Sequence, residues 1–326
     1  MRPGRAQLDG FLLALGAAVT LAALAPTLGA RGGVLQLDLL TGAAIGLVFF
    51  LHGAALPLQS LASGARAVRV HLLVQGTTYL AFPALGALLL WLAGSWLPGG
   101  LALGFFFLCA VSSTISSSVA MTALAGGNVA AALFNATLSG VLGVFLTPLY
   151  VGLVADTAGV SLSLPVAVAA VALKVLVPLA AGQLARPLLL AVLTRHARLV
   201  GIVDRGSIVL IVYGAFCDSI LANLWTRQSL GAVCAVALLS IALFALVGVL
   251  LRCAARALRL TRADAIAAFY CGSQKSLANG LAGARALFGA SPVLGFIVLP
   301  LIIYHQVQLM IGAMIARRQA MTSVSP

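Results

Sequence analysis

One cationic side chain, Lys275, stands inside an apolar stretch that also carries Ser273, Gln274, Ser276 and Asn279, in the order Ala265-Ile-Ala-Ala-Phe-Tyr-Cys-Gly-Ser-Gln-Lys-Ser-Leu-Ala-Asn-Gly-Leu-Ala282. An ammonium removed from water costs several kcal/mol (~3 on insertion scales, ~10 or more in simulations) unless something pairs with it or water reaches it. These residue types support ion and solute binding, or attack by a serine that a lysine activates. A purely structural amine, holding two helices together, is the third reading. A second polar cluster is Ser112-Ser-Thr-Ile-Ser-Ser-Ser118, with hydroxyls on six of seven residues. A lone serine in a membrane helix commonly bonds its own backbone and does nothing else. Hydroxyls on every face instead predict unwinding or a cavity lining by Ser113, Thr114, Ser116, Ser117 and Ser118, because freed backbone groups at that depth need partners.

Both clusters need a frame, and composition says which kind. Hydrophobic residues make up 62% of the 326 residues and charged residues 8%, with a mean hydropathy of +1.15. Soluble domains carry about 25% charged residues, so this chain reads as an all-α polytopic membrane protein. Ten apolar runs are long enough to cross: 10–29, 38–58, 70–93, 99–124, 128–153, 164–189, 203–223, 229–251, 264–287 and 293–316. They are too long for strands and lack period-two alternation. The first follows Arg2 and Arg5 as a signal peptide would, but its length suits a retained first helix.

The net charge of +13 would suggest nucleic acid in a soluble chain, but the arginines sit between apolar runs, where topology puts them. With ten crossings, 14 of the 19 Lys and Arg fall on the N-terminal side and three (Arg31, Arg227, Arg285) on the other, with Lys174 and Lys275 inside spans. Both termini are therefore expected in the cytoplasm. Little Lys beside abundant Ala, Leu and Arg suits a bacterial inner membrane. The partners expected are lipid and a small solute, with no nucleic acid and no obligatory protein. Five scattered cysteines without a C-x-x-C read as packing residues rather than disulfides or a metal site.

The chain also reads as doubled. Polar breaks fall in spans four and nine, and each is followed by one span with an internal proline, Pro148 or Pro300. Halves of five spans, 1–157 and 158–326, would enter the membrane from opposite faces. Paired interrupted helices in two inverted repeats point to the substrate site of a secondary transporter.

Here a resemblance enters. Gly127-Asn-Val-Ala-Ala-Ala-Leu-Phe-Asn-Ala-Thr-Leu-Ser-Gly-Val-Leu-Gly-Val-Phe-Leu-Thr-Pro148 resembles the fifth helix of the bile acid:sodium symporter family. Phe49-Phe-Leu-His-Gly-Ala54 and Cys271-Gly-Ser-Gln-Lys-Ser276 resemble its SBF-like branch, related to the seventh human member of solute carrier family 10. The resemblance implies ten helices in a panel and a core domain, with broken helices 4 and 9 crossing beside two sodium sites and an organic-anion cavity. It implies sodium ligands near Ser117, Ser118, Asn135, Thr137 and Ser139. The family's sodium-binding Glu matches Tyr270 here, its Gln-Asn pair is Gln274-Lys275, and this chain contains no Glu. A sodium ion beside Lys275 would meet like charge with no anionic ligand. The ammonium is therefore expected to replace a sodium ion, leaving no metal site to name with conviction. It could shed its proton in one conformation and regain it in the other, so the coupling ion is H+ or, with a degenerate site, Na+.

Other residues carry paired readings. Asp218 and Lys174 are expected to form a structural ion pair between spans seven and six, with a proton relay as the alternative. His52 reads as a packing residue or a group titrating near neutral pH. His305, with Gln306 and Gln308, could face the cavity. The four arginines from Arg252 to Arg262 read as topology and anionic-lipid contact. The functional expectation is a secondary active transporter of a small organic anion working by alternating access, not an enzyme. The alternatives are a sodium-coupled symporter, a sensing protein that moves nothing, and an intramembrane Ser–Lys hydrolase, against which stands the fact that adjacent helical residues do not face each other.

Overall fold

The computed structural model describes residues 3–30, 32–55, 64–93, 97–155, 164–223, 230–289, 291 and 293–322. Among them all regular structure is helical. The helices are α1 Pro3–Leu24, α2 Pro26–Gly29, α3 Leu37–Ala55, α4 Val68–Gly76, a π segment Thr77–Ala81, α5 Phe82–Ala93, α6 Gly99–Ala110, α7 Ser116–Leu124, α8 Val129–Ala155, α9 Leu164–Arg195, α10 Ala197–Leu221, α11 Leu230–Ala257, α12 Arg262–Ser273, α13 Leu277–Phe288 and α14 Leu294–Thr322.

Among the described residues, six helical segments are long and apolar enough to cross a bilayer: Val68–Leu92, Val129–Val154, Val168–Arg195, Ala197–Leu221, Gly231–Ala257 and Leu294–Met321. This is an integral membrane protein of many helices. The remaining apolar runs are shorter pieces, for local reasons. The first run ends at Leu24 because Pro26, at the start of α2, cannot extend the helix before it. The fourth and ninth runs are interrupted, as their serines and glycines led one to expect. The midpoint between the expected halves, 157/158, lies outside the described residues, as do Arg2, Arg31 and Arg227 from the charge count.

The chain forms two compact units, neither of which is a contiguous half. The first comprises Met1–Leu56, Pro165–Ser229 and Leu281–Phe296, the second Pro57–Leu164, Leu230–Gly280 and Ile297–Pro326. In the first unit α1, α2 and α3 pack on α10. Helices α3 and α9 approach so closely that a Cβ on Gly53 would lie 2.0 Å from the Leu179 carbonyl oxygen, and one on Gly182 1.9 Å from that of Phe50. His52 pairs with Asp204 at 3.3 Å. The Lys174–Asp218 pair is corrected: Asp218 has the Arg285 guanidinium at 3.7 Å, and Lys174 is exposed. Arg285, on the last turn of α13, takes the place expected for Lys174 on α9.

In the second unit α12 packs against α4, α7, α8 and α11, and α6 against α5 and α8. The core there includes an aromatic cluster in which the Phe244 ring meets Phe269 and Tyr304 edge-on at 6.3 and 6.1 Å. Two local devices place the interrupted helices. Gly126, at φ +72, ends α7 in the left-handed conformation, and the Gly127 N–H closes back on the Thr122 carbonyl at 2.8 Å. Thr261 caps α12 by accepting from the Asp264 N–H.

Candidate ion and solute site

The site lies wholly within the second unit and is made of two helix interruptions and one helix defect. The defect comes first in sequence. Pro83 has no N–H, so the carbonyl four residues before it, that of Tyr79, has no helical donor. The Tyr150 hydroxyl donates to it at 2.5 Å. One residue earlier the Phe82 N–H reaches back to Thr77 rather than Thr78, forming the π turn. The carbonyl of Thr78 has thereby lost its α-helical donor to Thr77, and its π-helical donor would be Pro83. It is left aimed at the interior.

The first interruption, residues 111–115, separates α6 from α7. A helix C-terminus leaves its last carbonyls without intrahelical partners and carries negative partial charge. Four carbonyls at this break are satisfied from elsewhere. Ala110 O accepts from the Thr147 hydroxyl at 2.9 Å, and Ser112 O from the Ser276 N–H at 2.9 Å. Cys109 O and Val111 O accept from Lys275 Nζ at 2.9 and 2.8 Å.

The second interruption, residues 274–276, separates α12 from α13. Ser273 O accepts from the Tyr304 hydroxyl at 2.7 Å. The Gln308 amide grips Lys275 from both sides: its Oε1 accepts the Lys275 N–H at 2.7 Å, and its Nε2 donates to the Lys275 carbonyl at 2.8 Å. His305 Nδ1 lies 3.3 Å from the same carbonyl. Ser276 caps α13, accepting from the Asn279 N–H at 3.2 Å.

Lys275 is fully buried. Its ammonium has three hydrogens, and three carbonyls receive them: Thr78 at 3.2 Å, with Cys109 and Val111. The nitrogen also sits 4.0 Å from the centre of the Phe82 ring, a desolvated cation–π contact worth about 2 kcal/mol. Among the described residues no carboxylate pairs with it; the described ion pairs of Asp204 and Asp218 are elsewhere, and Asp264 bonds Thr261 and Asn128. Apart from the Phe82 ring, the ammonium's described partners are backbone oxygens, ligands of the kind a hard metal cation takes. While the amine is in place the residues do not fit a sodium ion at this point, since the amine has taken the oxygens. Nor do they fit a Ser–Lys dyad. Ser273 Oγ bonds Phe269 O of its own helix at 2.6 Å, and Nζ bonds carbonyls, not hydroxyls.

The other expected residues divide. Ser113 is central: its N–H donates to Ser139 Oγ at 2.9 Å and its hydroxyl to Cys271 O at 2.7 Å. Ser117 and Ser118 both donate to Gln274 Oε1, at 2.7 and 3.2 Å. Asn279 Nδ2 donates to Ser112 Oγ at 2.8 Å, and Thr114 is buried within the first interruption. Tyr79, which the reading missed, donates its hydroxyl to Ser139 O. Ser116 is exposed. Thr137 bonds back to its own helix at Leu133 O. Asn135 bonds Gln75 rather than either interruption. Tyr270 turns its hydroxyl to Gln319 Oε1 at 2.8 Å, so only its carbonyl, which accepts from Ser118 at 3.3 Å, belongs to the cluster. Sequence reading also missed Thr78, Phe82 and Tyr304. Pro83, five residues beyond Thr78 in an otherwise regular span, was the available signal.

Comparison with known proteins gives the chain's family. The profile of the SBF-like CPA transporter family matches residues 9–321. The chain is 41% identical over 316 residues to the candidate symporter YfeH of Escherichia coli strain K12, covering 95% of this chain and 92% of that one. It is 30% identical over 316 residues to sodium/bile acid cotransporter 7 of Danio rerio, covering 95% and 93%. An uncharacterised protein of Pseudomonas aeruginosa, PA2026, is 41% identical over 312 residues, covering 96% and 93%. A buried amine among backbone carbonyls, at the meeting of two interrupted membrane helices, is thus a feature of a member of the SBF-like CPA transporter family, to which this chain belongs.

Proposed function

We propose that the chain is a secondary transporter of a small organic anion, working by alternating access, in which the Lys275 ammonium does the electrostatic work of a coupling sodium ion. The observation that carries this reading is the amine's coordination: three carbonyls and a ring, with no carboxylate among the described residues. All three N–H donors are used, so this conformation suits the charged form. Withdrawing the carbonyls from the still desolvated amine would favour its neutral form, and a water path in the alternate conformation would carry the proton away, which makes H+ the coupling ion, or leaves the cycle independent of sodium.

The N-termini of α7 and α13, at Ser116 and Leu277, start at the two interruptions and add positive partial charge. With Lys275 they favour a carboxylate or sulfate on a partly apolar molecule, in keeping with the bile acid named for the relative in Danio rerio. Ten crossings in two inverted repeats are supported by the units, each of which draws on both halves of the chain. The charge asymmetry of the loops supports cytoplasmic termini in a bacterial inner membrane.

The test uses sodium itself. Lys275→Ala vacates three carbonyls and the volume beside them, so purified Lys275→Ala gains a sodium-dependent rise in Tm that choline does not give, while the wild type shows none. In liposomes, wild-type uptake of taurocholate as an amphipathic anion follows a proton gradient. Sodium stabilisation of the wild type, with sodium-driven uptake surviving Lys275→Ala, would sink the reading.

A further inference from the structure

We infer that the basic end of α11 and α12 is a binding site for a phosphate-type oxyanion, presented either by an anionic lipid headgroup or as free phosphate. The argument begins with the spacing of Arg252, Arg256, Arg259 and Arg262. Arg252 and Arg256 are four apart on α11 and share a face. Beyond α11 the chain passes through Arg259 in the left-handed conformation, φ +50. Thr261 then caps α12, which makes Arg262 its first residue.

This reversal brings Arg262 to the cavity that Arg252 and Arg256 line. The cavity measures about 220 Å³, and its wall also includes Leu260, Phe269 and Gln319. A water molecule occupies roughly 30 Å³ of liquid, so the space takes a phosphate group and the first atoms of its ester. No carboxylate is among the lining residues, and Asp264 nearby is engaged by Thr261 and Asn128. Three guanidiniums around one space repel one another until an anion enters.

The walls are fixed rather than loose. Arg252 lies over the Phe269 ring, 4.8 Å from its centre, and Arg262 Nη2 donates to Gln319 O at 2.9 Å. Arg256 has no hydrogen-bond or ion-pair partner among the described residues, although it borders the same space. Guanidinium forks match phosphate oxygens in pairs, and the apolar wall of Leu260 and Phe269 suits the ester beyond. Gln319 also accepts from the Tyr270 hydroxyl on α12, the helix that ends at the second interruption. An occupant would therefore brace the element that carries Lys275.

The experiment compares purified full-length wild type with Arg256→Gln, Arg256→Gln/Arg262→Gln, Ala265→Leu and Arg198→Gln. Ala265 lines the cavity, so leucine there fills it without removing charge. Arg198 is exposed on α10 and serves as control. Binding is read by native mass spectrometry with phosphatidylglycerol, and by thermal shift with inorganic phosphate. The expected loss is about fivefold per arginine removed and a comparable loss in Ala265→Leu, with Arg198→Gln unchanged. That pattern with phosphatidylglycerol assigns the anion to lipid, and with inorganic phosphate alone to a soluble source. Equal loss in Arg198→Gln, or full binding by Ala265→Leu, overturns the site.

Discussion

The two units hold their helices together by opposite means. In the first, helices touch through bare backbone: α3 and α9 meet at Gly53 and Gly182, where no side chain fits between them. In the second, helices are interrupted and their freed backbone groups are answered by side chains, Lys275, Gln308, Tyr304 and Ser113 among them. The first unit also holds side-chain pairs, His52–Asp204 and Asp218–Arg285, but the buried polar interior around two interrupted helices belongs to the second. Close backbone packing of small residues needs no polar group, whereas interrupted helices persist in a membrane only where every exposed N–H and C=O finds a partner. Where chemistry is to occur, a membrane protein needs the second kind of interior.

Three substitutions, with Lys174→Gln as a control for the third, sharpen this comparison. Lys275→Met keeps the length and removes the donors, leaving three buried carbonyls unpaired at ~1–3 kcal/mol each. It should be the most damaging change, a large fall in Tm in detergent, and because methionine still fills the space, sodium should not restore it. A small effect would mean that the polar interior does not rest on this amine. Gly182→Ala pushes a methyl group against the Phe50 carbonyl. Overpacking of this kind costs about 1–3 kcal/mol, and the loss should be of stability without any change in sodium response. Asp218→Asn weakens the pair with Arg285, an effect of about 1 kcal/mol that Lys174→Gln should not reproduce. Equal Tm losses from Asp218→Asn and Lys174→Gln would restore the pair that the structure replaces.

Legibility in the sequence followed the same divide. Apolar runs marked where the helices lie, because a bilayer dictates an apolar length, but several helices run about six residues past the expected ends, as Leu164–Arg195 and Leu294–Thr322 do. The run of hydroxyls from Ser112 to Ser118 and the Gly272-Ser-Gln-Lys stretch marked both interruptions, since no regular membrane helix is polar on all faces. Lys275 stood out because its burial demands an explanation. What held it did not stand out: carbonyls belong to every residue, so Thr78, Cys109 and Val111 carry no mark of their role in their side chains. Only Pro83 hinted at one of them. The Lys174–Asp218 expectation failed for a related reason. Opposite charges at matching depth suggested a pair, but the turn after the second interruption brings Arg285 round to Asp218 instead. Ser116 and Thr137 were drawn in by residue type, while rotation about the helix axis turned them elsewhere.

The wide turn at Thr77–Ala81 has a genetic consequence. It exists because one residue too many is wound into that stretch, so that Phe82 reaches back five places. Deleting Thr77 alone would hand the Phe82 amide to Thr78, and the oxygen now offered to the amine would return to its own spiral. A single lost codon could thus keep the cation and dismantle part of its seat, a lesion that no exchange of one side chain for another reproduces.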